Sequence, residues 1–113
     1  HLRNHAAFWD GQRLTLTPAY DLSPMNRSGE TAAQALPYGP DGERESNLAR
    51  LVQHSAEFGL SRAAGRAIAT ELVDTIHENW LEAADRARLT DAARRALWGR
   101  QILNPGALYG LTG

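Results

Sequence analysis

HLRNHAAFWDGQRLTLTPAYDL, residues 1–22, sets two short apolar runs around an Asp-Gly pair and closes on an acidic residue. Ala6-Ala7-Phe8-Trp9 and Leu14-Thr15-Leu16-Thr17 flank Asp10-Gly11. Asp-Gly between apolar or β-branched runs signals a β-hairpin, because glycine supplies the positive φ that the tight turn needs. Leu14 and Leu16 then face one side of the ribbon, Thr15 and Thr17 the other. Pro18 has no amide proton to donate and stops the ladder. A lone hairpin is marginal in water and needs a surface to pack on. Its two ends carry polar groups: Asn4 stands just before it, Asp21 just after.

Outward from the hairpin, residues 23–45 hold one breaker after another: Ser23-Pro24, Ser28-Gly29, Leu36-Pro37, Gly39-Pro40 and Asp41-Gly42. They predict an irregular loop, of a length that is usually functional or mobile. Residues 46–113 read as helical. Ser46 caps a helix carrying Leu48, Leu51, Val52 and Ser55, which ends near Phe58-Gly59. Ser61 caps the longest helix, where Ala64, Ile68, Leu72, Ile76 and Trp80 recur every four residues, with Ala69 and Val73 widening the stripe. The pattern puts Leu72 and Trp80 in the core. Gly65 weakens the first turns slightly. Thr90 caps a third helix with Asp91 in its first turn, Ala93, Leu97 and Trp98 on its buried side, and Gly99 as its stop. Ile102, Leu103, Pro105, Leu108 and Tyr109 form a tail that packs on the helices. The order predicts a mainly α fold with one small β-hairpin.

Composition narrows the function classes. The chain has 113 residues, of which 42% are hydrophobic, enough for a modest core. Twelve basic and 13 acidic residues leave a net charge of -1, which gives no bulk attraction to nucleic acid or anionic lipid. Every basic residue is arginine, and the arginines are spread along the chain. Without cysteine there is no disulfide, zinc-thiolate site or thiol nucleophile. No apolar run approaches the roughly 18 residues that span a bilayer.

His1 and His5 have the spacing of two metal ligands on one helical face. The zinc-protease pattern requires Glu directly after the first histidine, where Leu2 stands, and no third carboxylate ligand follows at helical spacing. We read them as ordinary polar histidines. His54 and His77 lack ligand-spaced partners, Trp80 and Trp98 read as core or interface anchors, Arg94-Arg95 as a solvated pair, and Glu78, Glu82 and Arg86 as helix-supporting charges. Asn4 and Asp21 are more informative. Magnesium takes oxygen ligands, usually one or two from side chains beside phosphate oxygens and water. Protein kinases place an Asn in the catalytic loop and a second metal-binding Asp after an intervening hairpin. Asn4, the Asp10-Gly11 hairpin and Tyr20-Asp21-Leu22 follow that order. On spacing alone the reading of Asn4 and Asp21 as turn residues leads, since both types are common in turns.

His1-Leu2-Arg3-Asn4-His5 followed by Leu16-Thr17-Pro18-Ala19-Tyr20-Asp21-Leu22 resembles the carboxy-terminal lobe of HipA-like toxin kinases. That family's catalytic loop runs Asp-x-His-x-x-Asn, then a hairpin, then Pro-x-Tyr-Asp. The likeness is close over residues 1–22 and general over the helices. It implies that Asn4 and Asp21 bind magnesium and, through it, ATP. It implies that His1 braces the loop, that Arg3 lies near the γ-phosphate, and that Pro18 and Tyr20 position Asp21. It further implies serine/threonine kinase activity, a cytoplasmic setting, a protein substrate such as an aminoacyl-tRNA synthetase, and a DNA-binding antitoxin of the HipB-like type, with no direct nucleic-acid or membrane contact. The family's catalytic Asp would precede His1. The chain therefore reads as the tail of a larger protein, cut just inside an active site and inactive by itself. The alternative is a truncated helical interaction module without catalysis.

Overall fold

The computed structural model describes residues 2–25 and 27–111. A 3-10 turn, Leu2–Asn4, leads into strands β1 (Ala7–Trp9) and β2 (Leu14–Leu16). Helices α1 (Leu48–Gln53), α2 (Arg62–Arg86), α3 (Asp91–Leu97) and α4 (Pro105–Leu108) follow, with a second 3-10 turn, Ser55–Phe58, between α1 and α2. The fold is mainly helical with one small hairpin, as its sequence predicts.

The hairpin is antiparallel, with Ala7 opposite Leu16, Phe8 opposite Thr15 and Trp9 opposite Leu14. Gly11 takes the positive φ of 97° that the reversal requires. Asp10 Oδ1 accepts from the amides of Gln12 (2.8 Å) and Arg13 (2.9 Å), which ties the turn to its own backbone. The bonds from Arg13 and Gln12 favour the ionised carboxylate and hold its pKa below the ordinary 3.8. A depressed carboxyl contributes stability above its unfolded pKa and loses it as pH falls through the folded one. The hairpin turn is therefore expected to loosen only in acid, and an Asp10 carboxyl titration followed by NMR should have its midpoint below 3.8. A midpoint at or above that value would show that the two amide bonds do not form.

The helix starts follow local chemistry. Ser61 Oγ accepts from Ala64 N (3.1 Å) and Thr90 Oγ1 from Ala93 N (3.2 Å), so both predicted caps hold. The first cap is displaced by one residue: Asn47 Oδ1, not Ser46, accepts from Arg50 N (2.9 Å). Asn47 also donates from Nδ2 to the carbonyls of Gly106 and Tyr109, a second task that a serine hydroxyl could not combine with capping. Ser46 instead accepts from Gln34 Nε2 at 3.0 Å.

The core is small. Val52, Ala69 and Leu111 are buried together, with Leu48 and Val73 against them. Here the expected stripe is corrected. On α2, Ala69 and Ala84 are buried, whereas Ile68, Leu72 and Ile76 are 46%, 57% and 40% exposed. A spacing of four overshoots the 3.6-residue turn, so that stripe winds around the helix. The covering elements, α1 and the segment ending at Leu111, reach only one side of it. At the far end, Trp80 stacks on Trp98 (centroids 5.4 Å apart), His77 meets Trp98 edge-on, and Arg94 pairs with Asp85 at 2.5 Å. Arg94 is thus a bracket between α3 and α2 rather than a solvated cation.

Gly65 has a tertiary role. A Cβ there would lie 2.1 Å from Ser55 Oγ, which is buried and donates to Val52 O at 2.7 Å. Gly65 lets α2 cross the turn after α1 at close range. On an exposed helix Gly→Ala gains about 1 kcal/mol. Gly65→Ala is expected to lose about 1–3 kcal/mol instead, because the contact must open. Urea denaturation reads the sign directly, and a gain would mean the crossing relaxes freely.

The segment expected to be irregular is partly a ribbon. Ala33 bridges Glu45, with Ser46 N donating to Ala32 O (2.9 Å) and Tyr38 N to Glu43 O (2.8 Å). The Gly and Pro residues turn the tip rather than break the pairing. Accessible surface totals 8546 Å², against about 6,100 Å² for a compact monomer of this mass. The excess includes Trp9, Leu14 and Leu16 on one hairpin face and the Ile68–Leu72–Ile76 row. Among the described residues no helix is long and apolar enough to cross a membrane.

Candidate functional site

The hairpin closes on a polar pair. Thr17 N donates to Ala6 O at 2.9 Å, one rung beyond the paired strands, and brings the entering and leaving chains together. Asn4 Nδ2 then donates to both Asp21 Oδ2 (3.1 Å) and Asp21 O (3.3 Å). One amide can grip both acceptors because Asp21 is left-handed, with φ 56°. Aspartate enters this region more readily than most residues, yet at a cost sustained by its neighbours. Tyr20 Oη donates to Arg3 O at 3.4 Å and links the same two segments again. Thr17 Oγ1 donates to Pro18 O at 3.1 Å, next to the residue that ends β2.

The two candidates are thus brought together on facing ends of the hairpin: a carboxylate, and a side-chain amide that turns its nitrogen to Asp21. A carboxylate and an amide oxygen are donors suited to magnesium. Asp21 is exposed and Asn4 half-buried. Among the described residues no three His, Asp or Glu side chains group as a metal cage. The amide of Asn4, rather than a second carboxylate, is the partner of Asp21. His1, expected to brace the loop, lies outside the described residues.

One cleft reaches Asn4, and a second starts at the neighbouring His5. The first, of about 220 Å³, is lined by Asn4, His5, Leu16, Thr17, Pro18 and Leu22. The second, of about 530 Å³, runs from His5 past Arg27 and Tyr38 to Leu48, Leu51 and Phe58. Tyr38 donates to Glu45 O at 3.0 Å and meets His54 edge-on, while His54 Nε2 lies 3.5 Å from Glu43. Burial, then the charges of Glu45 and Glu43, push the Tyr38 phenol above its ordinary pKa of 10.0 and keep it a donor. His54, without a partner at sequence spacing, thus helps seat the ribbon on α1. Only tertiary proximity reveals that role, since Glu43 and Tyr38 lie on a separate segment.

The family model for the HipA-like C-terminal domain matches residues 1–80, well over half of the chain. The chain belongs to the HipA-like C-terminal domain family. No curated protein and no solved structure matches it. The matched residues of this HipA-like domain include the hairpin, the Asn4–Asp21 pair, the ribbon, α1 and α2 as far as Trp80. The remainder of α2, α3 and α4 lie beyond the match.

Proposed function

We propose that this HipA-like domain carries the magnesium-holding part of a serine/threonine kinase active site, in a toxin of the toxin–antitoxin type. The observation that supports it is the Asn4–Asp21 pair, joined across the hairpin by two hydrogen bonds from one amide. Asp21 would supply a carboxylate to magnesium, and Asn4 an amide oxygen once its side chain turns from the Nδ2 bonds to Asp21, with ATP phosphates and water completing the shell. When bound, the metal neutralises charge on the phosphates during transfer. The domain's own residues hold and orient it: the hairpin fixes the separation, Tyr20 ties the Asp21 segment to Arg3, and left-handed Asp21 sets the carboxylate toward Asn4. The substrate would be a protein, an aminoacyl-tRNA synthetase by family resemblance, and the restraining partner a DNA-binding antitoxin of the HipB-like type, in the cytoplasm.

Within these 113 residues there is no lysine. On this reading the lysine that anchors ATP lies outside them, and phosphoryl transfer depends on such positioning groups. The chain alone is expected to transfer no phosphate from radiolabelled ATP to itself or to casein. Magnesium-dependent labelling would contradict that. The deciding experiment for the site is manganese uptake, read by electron paramagnetic resonance with Mn2+ standing in for magnesium. Uptake by the chain and its loss on Asp21→Asn support the reading.

The second reading is an interaction module without catalysis. The uncovered apolar faces at Trp9, Leu14 and Leu16 and along Ile68–Leu72–Ile76 favour it, because such patches mark contact surfaces. Under it, Asn4→Ala and Asp21→Asn leave function intact, while Trp9→Ala or Leu72→Ala removes it through a lost contact.

A further inference from the structure

Residues beyond the family match reach back to the chain that follows Asp21. Asn104 is buried (6% exposed). Its Nδ2 donates to Gly29 O at 3.2 Å and Arg100 O at 2.9 Å, and its Oδ1 accepts from Gly106 N at 2.9 Å. Tyr109 Oη donates to Glu30 Oε2 at 2.5 Å. Gly106 passes so close to this segment that a Cβ would stand 1.9 Å from Glu30 O. The Arg27 guanidinium donates to that same carbonyl. From the other side Asn47 Nδ2 donates to Gly106 O and Tyr109 O, at 3.0 Å each, and Leu111 is buried in the core just beyond. By contrast, Leu22 and Met25, between Asp21 and the held residues, are 81% and 78% exposed.

We propose that Asn104–Tyr109 is a clasp that positions the Asp21 segment, with Asn104 and Tyr109 as positioning residues that act through Gly29 and Glu30. The proposal rests on the metal-site reading of Asn4 and Asp21. The physical reason is entropic. A short exposed chain pinned only at Asp21 samples many arrangements, and binding would have to freeze them. Pinned at Gly29–Glu30 as well, it is already restricted. The strongest pin is charge-assisted, a phenol donating to a carboxylate. Glu30, as that acceptor, raises the Tyr109 pKa above its ordinary 10.0, so the phenol keeps the proton it donates. The clasp also joins residues outside the family match to those within it.

The test uses the full chain with Tyr109→Phe, which keeps the ring and removes only the O–H, and Gly106→Ala, which drives a methyl into Glu30 O. Two readouts are needed: 15N order parameters at Asp21, Leu22 and Met25, and Mn2+ affinity. In Tyr109→Phe the order parameters should fall and Mn2+ bind roughly threefold to tenfold more weakly, the effect of one lost hydrogen bond. The thermal midpoint should fall only by the few degrees that one lost hydrogen bond costs a domain of this size, whereas a merely structural role would leave the order parameters at Asp21 and Leu22 where they are in the parent. Unchanged order parameters in both variants would overturn the clasp, whatever the metal does. Mn2+ binding that survives Asp21→Asn would overturn the metal reading, whatever the clasp variants do.

Discussion

Asp21→Asn is expected to lower Mn2+ and Mg2+ affinity by about two orders of magnitude or more, since groups one shell further from a metal already cost about 10–100-fold when removed. Asparagine is the informative substitution for three reasons. It keeps the size of the side chain. It keeps an oxygen to accept from Asn4 Nδ2, now at 3.1 Å from Asp21 Oδ2. It also tolerates the left-handed backbone at φ 56°. Alanine tolerates that backbone poorly, at about 1–2 kcal/mol, and would confuse a lost ligand with a loosened hairpin. Asn4→Ala should weaken binding less, because a neutral amide oxygen contributes less than a carboxylate, but it also removes both bonds across the hairpin mouth. Calorimetry with Mg2+ and paramagnetic resonance with Mn2+ read the same change. Equal affinities of the parent and Asp21→Asn would leave Asn4 and Asp21 as turn residues.

Leu111→Ala is expected to destabilise the chain by about 2–5 kcal/mol, while Leu72→Ala stays within about 0.5 kcal/mol. Leu111 is 5% exposed and one of three residues that define the core, with Val52 and Ala69. Removing it leaves a cavity between α1 and α2 and frees the end of the Asn104–Tyr109 segment. Leu72, 57% exposed, has little contact to lose. A domain is held by only about 5–15 kcal/mol, so with a core this small Leu111→Ala should visibly populate the unfolded state. Urea midpoints of the two variants settle the order. A larger loss for Leu72→Ala would mean that its face is covered in solution, as the interaction-module reading requires.

These two residues also show where sequence reading succeeds and fails. Leu72 stands in a clear period of four that predicts burial, whereas Leu111, between Gly110 and Thr112, belongs to no periodic pattern. Periodicity identifies a helix and its apolar residues. It cannot say which side another element will cover. The same holds for Gly65, a slight helix weakness in sequence terms and a close crossing in three dimensions.

Much of the candidate site was nevertheless legible. Asp10-Gly11 marks a turn, Ser61 and Thr90 mark helix starts, and each signal acts through amides within a few residues of itself. Once the hairpin forms, Asn4 and Asp21 have nowhere to go but its open end, so their meeting follows from local chemistry. The sequence by itself determined the hairpin, the caps at Ser61 and Thr90, the mainly helical class and the residues at the hairpin mouth, because bonds between near neighbours need no third element. Only the tertiary structure decided which face of α2 is buried, why Gly65 must stay small, and how Asn104 and Tyr109 reach Gly29 and Glu30. Those depend on contacts between distant segments, where burial and close approach exist only after the chain has packed.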